Sequence, residues 1–134
     1  IELSRRMPVN DRAAAIRWAG ESRVVLAGDG ELRVRSVRGR GVSRAKLDGG
    51  TITIRRRLGG ERMRLSASRP RRTLKNLLQE AGVRPWLRSR MPLVFHDEEL
   101  VWAPGIGVAS NFRARGTEPA LLFSWNHPGV EPGR

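Results

Sequence analysis

Cysteine and tyrosine are absent from this chain of 134 residues, and phenylalanine occurs only three times. Without a thiol, the chain cannot form a disulfide scaffold, a thiolate metal site or a cysteine nucleophile. No apolar run approaches the roughly 18 to 20 residues that cross a bilayer, and no signal-peptide pattern is present. We therefore expect a cytoplasmic protein with no membrane partner.

Acidic residues are also scarce, since 13 Asp and Glu stand against 26 Lys and Arg, for a formal net charge of +13. All but two of the basic residues are arginines. The guanidinium group binds phosphate through two parallel hydrogen bonds and stacks on bases, which suits RNA or DNA. The alternative is that coding bias favours arginine throughout and that the charge only keeps the protein soluble.

The positive charge is concentrated in the first two thirds of the chain. Residues 1–90 hold 23 Lys and Arg against 8 Asp and Glu, whereas residues 91–134 hold 3 against 5. Between Arg55 and Lys75, nine basic residues are opposed only by Glu61. Such a density of like charge on one surface favours a polyanionic partner.

The length is sufficient for one domain with its own core. We divide the chain into a leader, or the tail of an upstream domain, over residues 1–20, a main domain over 21–127 and a flexible tail over 128–134. In the leader, Asn10 or Asp11 followed by RAAAIRWAG predicts a short capped helix.

Alternating patterns predict strands before residue 66. RVVLA and ELRVRSV flank the turn residues 28–30 and predict a hairpin, with Leu32 and Val34 facing the core. TITIRR alternates apolar and polar side chains and predicts another strand. After Gly59 and Gly60 the pattern resumes in ERMRL, which predicts a second hairpin with arginines on its outer face.

The clearest helix is predicted over residues 71–81, followed by Gly82. Its apolar face is formed, at helical spacing, by Leu74, Leu77, Leu78 and Ala81. A short helical turn at Trp86 follows, and PLVF, LVWA, VASNFRA and ALLFSW then predict a meander of short strands. This order predicts an α+β fold, in which mostly antiparallel short strands form a small sandwich or mixed sheet packed with one main helix.

Groups suited to catalysis are few. His96 begins the segment HDEE (96–99), where it could bind a metal or act as a base, but we favour a polar hairpin turn because no second imidazole lies at ligand spacing. His127 is expected to be solvated. GIGVAS (105–110) lacks the third glycine of a dinucleotide fingerprint and is predicted to be a tight turn. We therefore assign no catalytic residue and no metal site.

This imbalance favours a binding module over an enzyme. Arginines on the outer faces of the strands and at the start of the helix would follow a phosphate backbone. The predicted RNA-binding residues are Arg55, Arg57, Arg62, Arg64, Arg71, Arg72 and Lys75. Trp18, Trp86 and Trp102 could stack on unpaired bases, although a domain with few aromatics needs its indoles in the core.

Three ordered pieces of the chain resemble the C-terminal domain of the tRNA(Ile)-lysidine synthetase (TilS) family. They are TIRRRLGGERMRLS at 53–66, RTLKNLLQEAGVRPWLRSRMPLVF at 72–95 and LVWAPGIGVA at 100–109. The motifs GGER and LKxL are the firmest anchors, and they single out Arg62 and Lys75. Members usually carry proline where this chain has Arg84.

The resemblance implies a non-catalytic domain that binds isoleucine tRNA near the acceptor stem, with a fold similar to one found in phenylalanyl-tRNA synthetase. Enzymes of this family use ATP to activate the wobble cytidine, and lysine then displaces AMP. The SGGxDS phosphate loop of their catalytic domain is absent here. ATP and lysine would therefore be bound upstream of Ile1, while this fragment would hold no cofactor, would be inactive alone and could form a homodimer.

Two other interpretations remain open. One is a free-standing arginine-rich RNA-binding protein, associated with the ribosome or with tRNA, that has no enzyme attached. The other is a small hydrolase or metal enzyme built around His96, whose activity a chelator would abolish. An SGGxDS motif upstream of Ile1 would distinguish the lysidine synthetase domain from the free-standing protein.

Overall fold

The computed structural model describes residues 6–7 and 15–127. The strands, in chain order, are β1 (Arg6–Met7), β2 (Ile16–Arg17), β3 (Arg23–Leu26), β4 (Gly30–Arg38), β5 (Val42–Ser43), β6 (Ile52–Arg55), β7 (Arg62–Met63), β8 (Arg72–Thr73), β9 (Leu93–His96), β10 (Glu99–Ala103), β11 (Gly107–Val108) and β12 (Pro119–Asn126). The helices are α1 (Leu74–Glu80) and α2 (Pro85–Arg88), and 3-10 turns lie at Ala45–Leu47 and Ser110–Phe112. Within the described part of the chain, no helix is long and apolar enough to span a bilayer.

The strands form two five-stranded sheets and one two-stranded ribbon. The first sheet has the order β1-β3-β4-β12-β5 and the second has the order β11-β10-β9-β6-β2, while β7 and β8 form the ribbon. Strand β1 is parallel to β3, and the remaining pairs among the described residues are antiparallel. The predicted α+β class, with mostly antiparallel short strands and one main helix, is confirmed.

The first predicted hairpin is confirmed as β3 and β4. Its loop closes where the backbone N–H of Asp29 donates to the Leu26 carbonyl at 2.8 Å. Leu32 and Val34 are buried, whereas Arg35 on the alternate face is exposed. This is the pattern of a sheet with one face on the core and one face in solvent.

The two sheets pack face to face around one core. Trp102 of β10 stacks on Phe123 of β12, with ring centroids 5.7 Å apart, and Trp18 meets the same phenyl ring edge-on at 6.1 Å. Ile52 and Ile54 of β6 are buried, which confirms the predicted alternation of that strand. The aromatic contacts therefore hold the second sheet against the first.

The helix predicted within residues 10–19 is wrong where the structure describes that segment. Ile16–Arg17 form strand β2, which pairs with β6 and places Ile16 opposite Ile54. Ile16 is buried, and a β-branched side chain packs well on a sheet. Pairing with β6 therefore outweighs the helix preference of the alanines before it.

The predicted division into leader, main domain and tail stays a prediction. The proposed helix cap at Asn10 or Asp11 and the tail over 128–134 lie outside the described residues. Strand β2 belongs to the second sheet, so sheet pairing already begins within residues 1–20.

The second predicted hairpin, between TITIRR and ERMRL, is also wrong. Strand β6 pairs with β2 and β9, whereas β7 pairs with β8 in the ribbon. Gly59 and Gly60 have φ values of 104° and 83°, which turn the chain away from the sheet before β7 begins. The side chains still face as predicted, since Met63 is buried while Arg62 and Arg64 are exposed.

Helix α1 begins at Leu74, later than the predicted residue 71. Arg72–Thr73 is extended and pairs with β7 instead. Thr73 caps the helix, because its side-chain oxygen accepts a hydrogen bond from the backbone N–H of Asn76 at 3.2 Å. The predicted basic start of the helix is therefore a strand that leads into it.

The apolar stripe of α1 is buried at Leu74, Leu77 and Leu78, as predicted. Ala81 is exposed because it lies at the C-cap, so its predicted place in the stripe is wrong. Gly82 has a φ of 72°, and its N–H donates to the Gln79 carbonyl at 3.1 Å. This left-handed glycine ends the helix as the sequence predicts.

The predicted meander is confirmed for β9, β10 and β11, which are neighbours in the second sheet. It is wrong for β12, which crosses to the first sheet and pairs with β4 from Pro119 to Asn126. Phe123 and Trp125 of β12 are buried, and burial of these large rings between the sheets decides where the strand pairs. Of VASNFRA, only Val108 is in a strand, and Ser110–Phe112 forms a 3-10 turn.

Candidate nucleic-acid interface

A groove of about 660 Å³ lies on the outer face of the second sheet. Arg55 and Phe95 line it, and the register of β6 with β9 places both on the face opposite the buried Ile54. Residues 58–64 form one wall and residues 109–111 contribute to the other. The walls are joined where the Ser110 N–H donates to the Arg64 carbonyl at 2.7 Å.

Basic side chains outnumber acidic ones in this groove. The basic lining residues are Lys46, Arg55, Arg62, Arg64, Arg71 and Arg115, and the acidic ones are Glu61, Glu98 and Glu99. Glu61 is paired with Arg55, and Glu99 accepts a hydrogen bond from the Asn111 amide at 3.1 Å. The remaining positive charge makes the groove attractive to a polyanion.

Glu61 organises the wall of the groove. One carboxylate oxygen accepts from Arg55 Nη1 at 3.1 Å and from the Leu58 N–H at 2.8 Å, while the other accepts from the Gly59 N–H at 3.1 Å. Burial would raise the pKa of Glu61, but the hydrogen bonds from the Leu58 amide and the Arg55 guanidinium outweigh burial and hold that pKa below its ordinary value. Arg55 also lies 4.0 Å from the centroid of the Phe95 ring.

The structure brings four of the seven predicted RNA-binding residues together. The four that line the groove are Arg55, Arg62, Arg64 and Arg71. The last three are exposed, so their guanidinium groups face solvent where a phosphate would bind. The guanidinium group of Arg55 instead pairs with Glu61 and lies over the ring of Phe95. As RNA contacts, all seven residues stay predictions.

Arg57, Arg72 and Lys75 lie outside the groove. Arg72 forms a two-point ion pair with Glu80, in which Nη1 lies 2.9 Å from Oε1, and its hydrogen bond holds the pKa of Glu80 below the ordinary value. Lys75 is exposed on α1. The two anchor residues of the sequence motifs are therefore separated, with Arg62 in the groove and Lys75 away from it.

Lys46 and Arg115 are lining residues that the sequence did not indicate. Arg115 comes from the acidic end of the chain, and Lys46 Nζ donates to the Arg113 carbonyl at 3.1 Å. Their loops meet because the Ala114 N–H donates to the Gly41 carbonyl at 3.0 Å. No local pattern marks either residue, since the contact depends on pairing between distant segments.

A second charged cluster centres on Asp29, which is buried at the tip of the β3–β4 hairpin. Its carboxylate accepts from Arg56 Nη2 at 2.6 Å and from Arg90 Nη1 at 3.0 Å, and its backbone carbonyl accepts from Trp125 Nε1 at 2.7 Å. Arg56 is itself buried. Of the three consecutive arginines 55–57, Arg56 therefore stabilises the fold through its ion pair with Asp29.

The prediction that His127 is solvated is wrong. Its ring is buried and lies edge-on to Trp125 at 5.1 Å and to Trp86 at 5.6 Å. Burial lowers the pKa of His127, although the nearby charge of Asp29 acts in the opposite direction. Burial thus favours the neutral imidazole, which packs as part of an aromatic row.

The turn interpretation of HDEE is confirmed. The Asp97 N–H donates to the Thr51 carbonyl at 2.8 Å, and Asp97 Oδ1 accepts from the Thr51 N–H at 2.9 Å. The His96 ring lies 5.6 Å from that of Phe112. Residues 6–7 and 15–127 contain no group of three or more His, Asp or Glu that could hold a metal ion.

Comparison with known proteins assigns the fold to a family. The family model for the TilS substrate C-terminal domain matches residues 52–125, which is more than half of the chain. This chain belongs to the TilS C-terminal domain family. The matched TilS region runs from β6 into β12 and contains every residue that lines the groove except Lys46.

Curated relatives of this TilS domain are much longer proteins. The tRNA(Ile)-lysidine synthase of Nitrosomonas europaea is 40% identical over 116 residues, which are 86% of this chain and 25% of that protein. The synthase of Methylococcus capsulatus is 34% identical over 116 residues (86% and 26%), and that of Coxiella burnetii is 31% identical over 125 residues (92% and 27%). The chain thus spans about a quarter of the length of the curated relatives it matches.

A solved crystal structure of a TilS C-terminal domain has the same fold. It superposes with a TM-score of 0.65 at 19% identity, covering 87% of this chain and 100% of that chain. The resemblance in the three sequence pieces is therefore confirmed for the family and for the fold.

Proposed function

We propose that this TilS domain binds tRNA through the basic groove, as part of a longer tRNA(Ile)-lysidine synthase. The observation that carries the proposal is the convergence of Lys46, Arg115 and the four predicted arginines on one groove. Exposed guanidinium groups on two walls suit contact with phosphates along an RNA strand. The acceptor stem of isoleucine tRNA is the region that we propose to occupy this groove.

Contacts of this kind hold the RNA without reading its sequence. Phosphate contacts fix the position and the orientation of a nucleic acid, and their strength falls as salt rises because bound counterions are released. The hydrogen bonds from the backbone N–H groups of Leu58 and Gly59 to the Glu61 carboxylate keep the wall that carries Arg62 in place before RNA binds. The domain therefore positions tRNA for chemistry that takes place elsewhere.

The chemistry belongs to a catalytic domain upstream of Ile1 that binds ATP and lysine and joins lysine to the wobble cytidine. This domain is non-catalytic and holds neither ATP nor lysine. The gene sequence before the codon for Ile1 tests this part of the proposal, because the SGGxDS phosphate loop of the family's catalytic domain would be encoded there. An open reading frame without that motif would instead support a free-standing RNA-binding protein.

Binding of the 134-residue chain to isoleucine tRNA, measured between about 50 and 200 mM salt, tests the groove. Arg62→Ala should weaken binding and should lower the slope of log K against log salt by about one, because one phosphate contact is lost. Lys75→Ala should leave the slope unchanged, since Lys75 lies outside the groove.

Arg35→Ala is the matched control, because Arg35 is also exposed but lies on the outer face of the first sheet. It removes the same charge from the chain. If Arg35→Ala lowers the slope as much as Arg62→Ala does, binding follows total charge and the groove has no special role.

A further inference from the structure

Trp86 is an exposed indole in a chain that has few aromatic residues. Leu58 and Trp86 are the large apolar side chains that are exposed among the described residues, and Trp86 is 46% exposed. Trp102 and Trp125 are buried, and Trp18 packs against the core. An indole that stays in water does not gain the large hydrophobic free energy of burial. An exposed tryptophan that is held in place therefore indicates a contact surface.

The indole of Trp86 is held by a row of aromatic rings. It lies edge-on to His127, with centroids 5.6 Å apart and an angle of 63°, and His127 lies edge-on to Trp125 at 5.1 Å and 64°. Trp125 is in turn fixed by its hydrogen bond to the Asp29 carbonyl at 2.7 Å. The row connects the surface ring to the core, so Trp86 does not need to be ordered when a ligand arrives.

Arginines lie close to Trp86 in the sequence. Arg84, Arg88 and Arg90 flank Trp86, and no acidic residue occurs between Glu80 and Asp97. Arg84 and Arg90 are exposed, whereas Arg88 is half-buried and its Nε donates to the Val83 carbonyl at 2.8 Å. An aromatic ring beside exposed guanidinium groups is the combination that binds single-stranded nucleic acid, because the ring stacks on a base while the cations meet its phosphates.

We propose that an unpaired nucleobase of the bound RNA stacks on Trp86, with the neighbouring phosphates at Arg84 and Arg90. The proposal rests on the proposed function, since the same RNA occupies the groove. Arg55 lines the groove, and the adjacent Arg56 reaches Asp29, which Arg90 also contacts. Consecutive arginines at the end of strand β6 therefore connect the groove to the Asp29 cluster, where the row of rings that begins at Trp86 ends. In the proposal the duplex occupies the groove and its unpaired end reaches the indole.

Two RNA hairpins of the same stem, one blunt and one with a short single-stranded tail, test the proposal. The wild-type chain should bind the tailed hairpin about tenfold more tightly, which is the gain expected from one base stacked on an aromatic ring. Trp86→Ala should abolish this preference and leave the affinity for the blunt hairpin unchanged. Trp86→Phe should retain part of the preference, because a smaller ring still stacks.

Tryptophan fluorescence provides a second readout that needs no alanine variant. The tailed hairpin should quench the emission of the exposed Trp86 in the wild-type chain, and Trp86→Phe should remove that quenching, because Trp102 and Trp125 are buried and Trp18 packs against the core.

Equal binding of both hairpins by the wild-type chain, or an equal loss for both in a folded Trp86→Ala variant, would overturn the stacking proposal. In the second case the ring would instead support the fold or contact an apolar side chain of a protein partner. Failure of the proposed function gives a different result from failure of the stacking proposal. In that case neither hairpin binds in a salt-dependent way, and Arg62→Ala does not change the affinity for RNA.

Discussion

Asp29 lies in a hairpin turn, where the sequence predicts it. Its carboxylate is nevertheless buried and forms ion pairs with two arginines from other parts of the chain. Arg56 follows β6 and Arg90 follows α2, so one side chain connects the first sheet to two distant segments. Buried charges of this kind contribute little when paired, but losing one partner is costly because the opposite charge stays in a medium of low polarity.

Replacement of Asp29 by Asn should therefore destabilise the domain by about 3 kcal/mol, since the amide keeps the shape but removes the charge that neutralises Arg56. Urea unfolding of the 134-residue chain measures this change. Asp48→Asn is the control, because Asp48 is an exposed residue of another loop. A loss no larger than that of Asp48→Asn would mean that the Asp29 charge does not stabilise the fold.

At the scale of elements, the β3–β4 hairpin carries two glycines with nearly equal φ angles and different surroundings. Gly28 and Gly30 have φ values of 79° and 78°. A Cβ on Gly28 would meet nothing within 4 Å, whereas a Cβ on Gly30 would lie 1.8 Å from the Asn126 carbonyl oxygen. The second glycine therefore permits the close approach of β12 to the start of β4.

Gly28→Ala should cost about 1 to 2 kcal/mol, the strain of a left-handed alanine. Gly30→Ala should cost clearly more, because the new methyl group also pushes β12 away from β4. Thermal unfolding of the two variants gives the comparison, and near-UV circular dichroism reports whether the packing of the aromatic rings, Trp125 of β12 among them, has changed. Equal melting temperatures for both variants would show that the contact with Asn126 relaxes without cost.

At the scale of the whole molecule, the basic groove is assembled from segments that are distant in the sequence. Arg115 lies in the acidic end of the chain, but it lines the groove together with Arg62, which belongs to the basic stretch. Arg113, only two positions away, is exposed and lies outside the groove. The local charge of a segment therefore does not decide whether its residues line the groove.

Arg115→Ala should weaken binding of the chain to tRNA and lower the salt slope by about one, as expected for one phosphate contact. Arg113→Ala should change neither quantity, and it keeps the backbone carbonyl that accepts from Lys46. Filter binding or fluorescence anisotropy at several salt concentrations separates the two variants. The groove assignment fails if Arg113 matters as much as Arg115.

Prediction from the sequence succeeded where the signal was local. The stripe of Leu74, Leu77 and Leu78 identified α1, and the alternation at Leu32 and Val34 identified β4, because each pattern reports which face of one element is buried. Prediction failed for the pairing of strands. It also failed for the start of a helix where pairing with another strand keeps the first residues extended. The 71–73 stretch is an example, since its pairing with β7 replaces the first turn of the predicted helix.

The same division applies to the candidate site. Charge counting selected the 55–75 segment, but it did not separate Arg62 from the buried Arg56 or from Arg72, which pairs with Glu80. Nor did it identify Lys46 and Arg115. Whether an arginine faces a groove depends on contacts that only the packed sheets create.

The order of residues alone was enough for the α+β class and the TilS family, and for the proposal of a polyanionic partner, because periodicity, motifs and net charge are properties of the chain itself. The pairing of β12 with β4, the burial of Asp29 and His127, and the exposure of Trp86 were decided by the tertiary structure. These features depend on which distant segments bury apolar area together, and that free energy exists only when the two sheets close on one core.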